Sequence, residues 1–358
     1  AGSGESDIRL WIIENDWLEA IIALPEQMFY NTGIGTFIWV VTNRKTKERK
    51  GKIQLIDGRE RWEPMRRSLG DKRRCLTDEI INQLTREHGQ FKTQGNCKIF
   101  DNADFGYRRV TIERPLRLRF QITDEAKEQF LDACPDFLDA VVAMEQELGS
   151  EPHDDWNECW EQAQRIAKEN QAKWSAPSKK LFRQCFTVVD PKAQPVVSRI
   201  VPAKEETLPA IPHDGIFVEG GILSKALNPS LFPDQAFPGK LNLNELENIL
   251  GIFSPGKAKR SQKVEYEPDP ALRDNENIPL KECIVSYFMR EVRPFVSDAW
   301  INRETTDEKD GGIGKVAYEI NFNREFFIYS PPRPLEVIDK ELETVESRIL
   351  SILKGVQK

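Results

Sequence analysis

The run Leu18-Glu19-Ala20-Ile21-Ile22-Ala23-Leu24-Pro25 limits the possible folds of this chain more than any other stretch. Its length and branched apolar content suit a strand covered on both faces, and such strands lie inside helix-flanked sheets. A helical segment, residues 5–16, leads straight into it. Two further strand-like runs follow, residues 36–43 (TFIWVVTN) and 52–57 (KIQLID), and the polar stretch 44–51 between them reads as a hairpin loop. Helix, buried strand and hairpin are the closing elements of an open α/β sheet. The opening elements are absent, so residues 18–24 are expected to be an interior strand separated from its neighbours.

The chain has 358 residues, enough for two or three domains with separate cores. Its net charge of -7 hides a split. Residues 1–120 hold 22 basic and 17 acidic side chains, or +5, whereas 121–358 hold 29 and 41, or -12. A phosphate-facing surface therefore fits the first third better. Cys75, Cys97, Cys134, Cys159, Cys185 and Cys283 form no CxxC pair, and His88, His153 and His213 stand at no ligand spacing to them. These features favour reduced, packed thiols and no metal site. With no apolar run near the roughly 20 residues a membrane span needs and no signal-peptide pattern at the start, the expected compartment is the cytoplasm.

Further along, residues 59–70 read as a polar connection. Residues 77–88 read as a short helix capped by Thr77 and stopped by Gly89. Over 108–122, Val110, Ile112, Leu116, Leu118, Phe120 and Ile122 alternate with polar, largely basic residues, as in a half-buried strand, and Pro115 implies a bend or an edge strand. Residues 124–170 have an acidic helical pattern, while 190–280 are proline-rich and irregular. Tyr287, Phe288 and Val292 continue a helical stripe from Ile284, and Val316, Tyr318, Ile320 and Phe322 alternate as a strand. In the last helix, 334–356, Leu335, Ile338, Leu342, Val345, Ile349 and Ile352 repeat at steps of three and four, a heptad seam that asks for a partner helix. The expected divisions are 1–62, 63–275 and 276–358.

Read together, four ordered segments carry a resemblance: GSGESDIRLWIIENDWLEAIIALPEQMFYNTGIGTFIWVVTNRK (2–45), IFDNADFGYRRVTIERPLRLRFQ (99–121), ENIPLKECIVSYFMREVRPFVSDAWI (276–301) and YEINFNREFFIYSPPRPLEVID (318–339). They are similar to the modification subunit of type I restriction-modification systems, an adenine-N6 DNA methyltransferase. The resemblance implies a fold that is α/β followed by mostly α: the C-terminal part of a Rossmann-like methyltransferase sheet, a mixed helical region, and a coiled-coil-like C-terminal helix. It also implies S-adenosyl-L-methionine as cofactor, double-stranded DNA as substrate, and assembly with a specificity subunit, a second modification subunit and a motor-nuclease restriction subunit.

In that family a glycine-rich loop holds the donor, and an Asn-Pro-Pro-Phe motif holds the adenine amine while it attacks the methyl carbon. Neither motif occurs here, and Gly2-Ser3-Gly4 lacks a preceding strand. The chain is thus expected to be a carboxyl-terminal portion with no catalytic residues or donor site of its own. The loop 28–35 follows the carboxyl end of the buried strand, where open sheets bind ligands. Phe29, Tyr30, Asn31 and Gly33 are its candidates for receiving an extruded base; alternatively the aromatics seal the sheet. Asn43, Arg44 and Lys45 are candidates for contacting DNA, and so are Arg117 and Arg119, whose alternative is ion pairing with the acidic helices just downstream. Glu319, Asn321 and Asn323 suit a docking surface, and the seam residues a partner helix.

Overall fold

The computed structural model describes residues 4–202, 211–213, 216–218, 243–254, 262–329 and 331–356. Two compact units are woven from separate stretches of chain. One is built from Ala1–Leu18, Thr42–Ile53 and Phe100–Glu319, the other from Glu19–Val41, Gln54–Ile99 and Ile320–Lys358. The first six strands are β1 (Leu18–Ala23), β2 (Phe37–Val41), β3 (Lys52–Asp57), β4 (Glu63–Leu69), β5 (Lys72–Cys75) and β6 (Cys97–Asp101), and the first two helices are α1 (Gly4–Glu14) and α2 (Asp78–Gln90).

In the second unit the sheet order is β2-β1-β3-β6. The apolar run predicted to be a buried strand is one: Ala20, Ile21 and Ala23 are buried, as are Leu55 and Ile56 of β3. Helix α2 covers this sheet through Leu84 and Ile80, which pack on Ile56, Cys97 and Ile22. Burial of each such aliphatic side chain contributes about 1.5–3 kcal/mol. The Thr77 hydroxyl caps α2 by accepting from the Ile80 amide. Helix α2 runs one residue past Gly89, and Phe91 ends it in the left-handed region at φ 45°.

Two expectations about this sheet need correction. β1 is not separated from its neighbours, because β2 and β3 flank it and both come from this chain. The exposed edge belongs to β2, where Phe37, Ile38, Trp39 and Val41 are 39–48% exposed and no described strand pairs on the outer side. Nor do β2 and β3 form a hairpin, since β1 lies between them. The parallel β1–β3 pairing, with Ala20 opposite Gln54, satisfies the backbone groups of a strand buried on both faces.

The first unit contains β7 (Gly106–Glu113), β8 (Leu118–Phe120), β9 (Thr187–Val189), α3 (Asp124–Ala133), α4 (Leu138–Leu148), α5 (Trp156–Glu169) and α6 (Ala176–Phe186). The alternating stretch 108–122 breaks at the predicted proline, and its halves feed two cores. β7 is the centre of an antiparallel sheet with Asp274–Pro279 on one side and Trp300–Ile301 and Lys315–Tyr318 on the other. Val110 and Ile112 enter the cluster around Phe288, Ile284 and Ile249. β8 pairs with β9, and Leu118, Phe120 and Ile122 enter a helical core with Phe130, Phe182 and Phe186. Ring centroids there lie 4.6 Å apart for Phe182 and Phe186 and 5.4 Å for Phe130 and Phe182, close enough for each pair to add about 0.5–1.5 kcal/mol to simple burial.

The region after the first sheet is therefore mixed α/β, where mostly helix was expected. The strand predicted through Phe322 ends at Tyr318, and Phe322 opens a one-turn helix, Phe322–Glu325. The terminal helix, Leu335–Val356, forms where the heptad seam placed it.

Candidate nucleic-acid interface

Because β1 and β3 run parallel with Ala23 opposite Asp57, their carboxyl ends lie side by side. This is the edge at which open α/β sheets receive ligands. Gly58 laces the two ends together, its amide donating to the Ala23 carbonyl at 3.0 Å. A Cβ at Gly58 would stand 2.8 Å from that oxygen, so no other residue permits the approach. Asp57 accepts two hydrogen bonds from the Arg59 guanidinium, at 2.8 and 2.7 Å, and the same guanidinium donates to the Asn323 side chain at 2.7 Å. Burial opposes ionisation of Asp57, but the hydrogen bonds from Arg59 outweigh it and hold the carboxyl below its ordinary range. Asn323, a sequence candidate for docking, thus helps to fix the turn after β3.

After β1 the loop 28–35 folds on itself. Phe29 bridges to Thr32, the Ile34 amide donates to the Thr32 hydroxyl at 3.3 Å, and Gln27 adopts a left-handed φ of 60°. Phe29 is 47% and Tyr30 58% exposed, and Asn31 and Gly33 are exposed beside them. Both rings are flat surfaces held at the carboxyl edge of β1.

The segment read as a polar connection is instead the first strand of a hairpin, β4 paired antiparallel with β5. Its turn, Gly70-Asp71, touches the aromatic loop: the Asp71 amide donates to the Tyr30 carbonyl at 3.1 Å, and the Arg73 and Arg74 amides donate to the Gln27 carbonyl at 3.1 and 3.3 Å. Lys72 places its ammonium 5.4 Å from the Tyr30 ring centre, and Arg74 its guanidinium 4.0 Å from that of Trp62. Gly70 sits at φ +63°, where a Cβ would also come within 2.9 Å of the Tyr30 carbonyl. Loop and hairpin are therefore one connected feature. Sequence reasoning missed the hairpin, although a Gly-Asp dipeptide between two chargeable runs is a recognised two-residue turn signal.

The other candidates lie in the first unit and differ in character. Asn43 and Arg44 are exposed. Lys45 is not: its side chain is 2% exposed, with its ammonium 2.6 Å from Asp16 and 2.8 Å from the Lys52 carbonyl. Arg117 donates to the Ala193 carbonyl at 2.8 Å and pairs with Asp298, and Arg119 pairs with Asp154 and Asp190. Their charge is matched inside the fold, by Asp298, Asp154 and Asp190 and not by the acidic helices just downstream. A cleft of about 250 Å³ nearby is similarly self-neutralised, with Glu113 held by Arg273 and Asn302 and Arg303 paired with Glu265. On the terminal helix, Leu335, Leu342, Val345, Ile349 and Ile352 are 52–77% exposed, and Ile338 is half-buried.

All six cysteines are free thiols, and burial, reinforced by Glu87, pushes Cys97 up to about 11. No group of three or more His, Cys, Asp or Glu among the described residues is placed to hold a metal ion, and no described helix is long and apolar enough to cross a membrane. The described residues do not fit a methyl donor. The parallel strands β1 and β3 lead into the aromatic loop and the Arg59 turn, neither of which opens a helix.

The class follows from this part of the chain: residues 1–105 match the N-6 DNA Methylase family. The relatives narrow it. The chain is 33% identical over 101 residues to the type I restriction enzyme MjaVIII methylase subunit of Methanocaldococcus jannaschii, a match covering 28% of this chain and 17% of that subunit. It is 45% identical over 56 residues to the MjaVII methylase subunit of the same organism, covering 16% and 10%. It is 41% identical over 58 residues to the HindI methylase subunit of Haemophilus influenzae, covering 16% and 13%. A solved methyltransferase subunit of a type I restriction-modification system from Streptococcus thermophilus aligns at a TM-score of 0.26 and 18% identity, covering 29% of this chain and 21% of that one. The chain is thus related over part of its length to type I restriction enzyme methylase subunits, and the match to the MjaVIII subunit spans about a sixth of that relative's length.

Proposed function

We propose that this chain is the DNA-facing and docking portion of a type I adenine-N6 methyltransferase subunit, working with a methyl-donor pocket supplied by polypeptide outside these 358 residues. The observation that carries this reading is the pair of exposed rings, Phe29 and Tyr30, on a loop fixed at the carboxyl end of a parallel strand. A duplex hides the adenine amine, so the base must leave the stack and be received by planar side chains. Phe29 and Tyr30 receive it, and Asn31 lies beside them to hydrogen-bond its edge. The donor, S-adenosyl-L-methionine, supplies the methyl group; these residues position the acceptor.

In the assembled enzyme Tyr30→Ala should lower methyl transfer tenfold to a hundredfold, the equivalent of roughly 1–3 kcal/mol of lost base stacking. Unchanged transfer in Phe29→Ala and Tyr30→Ala alike would overturn this assignment. The chain alone, incubated with labelled S-adenosyl-L-methionine and DNA, should transfer no methyl groups; detectable transfer would reveal a donor site within it.

The second reading is a non-enzymatic assembly and DNA-clamping module, favoured by the exposed seam of Leu335–Val356. A helix with every seam residue but Ile338 largely exposed gains about 0.8 kcal/mol for each methylene a partner helix buries. We infer that the partner is a helix of the specificity subunit. Deleting residues 331–358 should abolish co-purification with that subunit, and retained co-purification would rule the seam out as the contact.

A further inference from the structure

The charged feature that the proposed function leaves unused is the β4–β5 hairpin. Residues 63–75 hold five basic side chains (Arg66, Arg67, Lys72, Arg73 and Arg74) against two acidic ones, Glu63 and Asp71. Six of the seven residues of β4 are exposed, and of β5 Arg73 is exposed while Lys72, Arg74 and Cys75 are half-buried. A two-stranded ribbon of this kind is at best marginally stable in water by itself, and this one has no apolar face to bury. It is held in shape by its backbone bonds to Gln27 and Tyr30. Lys72 and Arg74 are engaged over aromatic rings. Arg66, Arg67 and Arg73 are exposed and have no ion pair among the described residues, unlike Arg117, Arg119 and Lys45.

We propose that this hairpin grips the sugar-phosphate backbone of duplex DNA through Arg66, Arg67 and Arg73, beside the base that the aromatic loop receives. The inference rests on the DNA-modifying reading above and adds to it a surface outside the candidates named from sequence. Three arguments carry it. Arginine forks match phosphate oxygens in pairs. A two-stranded ribbon has the width of the major groove. The backbone bonds that tie the hairpin to the Tyr30 loop make phosphate contact by one fix the position of the other, which is the role phosphate contacts have in register.

The test uses the full chain, a labelled 30-base-pair duplex and a salt series. Each lost phosphate contact removes about 0.9 from the slope of log affinity against log salt. The triple variant Arg66→Gln, Arg67→Gln, Arg73→Gln should therefore show a slope shallower by about 2.7, and an affinity about tenfold to a hundredfold weaker at 0.1 M salt. The Arg→Lys triple variant, which keeps the charge, should recover most of the slope and thereby separate charge from any damage to the fold. If the wild type binds duplex and the glutamine variant matches its affinity and slope, the hairpin assignment falls and the DNA reading stands. If the wild type shows no salt-dependent duplex binding, both fall. If it binds polyglutamate as tightly as duplex, the hairpin is a protein-docking element and the proposal is wrong.

Discussion

Replacing Lys45 by Met tests whether its charge serves the fold or the DNA. In sequence Lys45 sits in a basic run and looks available to phosphate, but in the structure its side chain is 2% exposed and its ammonium meets Asp16 at 2.6 Å. Removing one partner of a buried ion pair typically costs 3–5 kcal/mol, because a charge is left unpaired. Asp16 is 30% exposed and keeps hydrogen bonds from the Gly51 amide at 2.9 Å and the Asn102 side chain at 3.0 Å. The cost therefore falls to about 2–3 kcal/mol, or a melting point lower by about 5–10 °C in a unit of this size.

The effect has a pH signature. Burial opposes ionisation of Asp16, but hydrogen bonds from Lys45, Gly51 and Asn102 outweigh it and lower its pKa from 3.8. A carboxyl depressed in the folded state stabilises above its unfolded pKa, and that contribution is lost as pH falls through the folded value. The gap between wild type and Lys45→Met should hence be full at pH 7 and narrow below about pH 3.8. Differential scanning fluorimetry across that range reads both quantities. A melting point within 1 °C of wild type at pH 7, paired with weakened duplex binding, would refute the reasoning and return Lys45 to the DNA surface.

Two further substitutions probe the second unit. Gly70→Ala places a Cβ 2.9 Å from the Tyr30 carbonyl at a φ of +63°, so the hairpin should detach from the aromatic loop; limited proteolysis should then cut within 63–75 faster than in wild type, and equal cutting rates would show that the turn adapts. Ile38→Lys puts a charge on the open apolar edge of β2, a device by which natural sheets avoid edge-to-edge pairing, and sedimentation velocity should show less self-association at unchanged melting temperature. A variant that associates as much as wild type would locate the sticky surface elsewhere.

What the sequence revealed and what it hid divide along a physical line. Burial on both faces leaves a continuous apolar run, so β1 was legible, and the heptad period marked Leu335–Val356 in the same way. Strand order left no such trace. KIQLID reads the same whether it pairs with β2 in a hairpin or crosses to run parallel with β1, and only tertiary packing selects the second. The alternation over 108–122 correctly named Val110, Ile112, Leu118, Phe120 and Ile122 as core. It could not say that Pro115 divides them between a sheet and a helical cluster. The hairpin 63–75 was hidden for the opposite reason. Its first strand buries almost nothing, so no hydrophobic period marks it, and its only signal, the Gly70-Asp71 turn, went unread.

The same contrast decides which basic residues are free to act. A run of positive charge in sequence does not say whether its partners lie in solvent or inside the molecule. Lys45 was singled out as part of a basic loop run and Arg117 and Arg119 because they share a strand face, and the fold brings acidic groups to all three: Asp16, Asp298, Asp154 and Asp190. Arg66, Arg67 and Arg73 lie on a ribbon whose first strand is almost wholly exposed and form no ion pair among the described residues, so their charge stays uncompensated. A cation built into a folded element tends to be neutralised by it, whereas one on an element projecting from the fold is left for a ligand. On that argument the hairpin, joined at its turn to Tyr30, is a stronger candidate for phosphate contact than Lys45, Arg117 or Arg119.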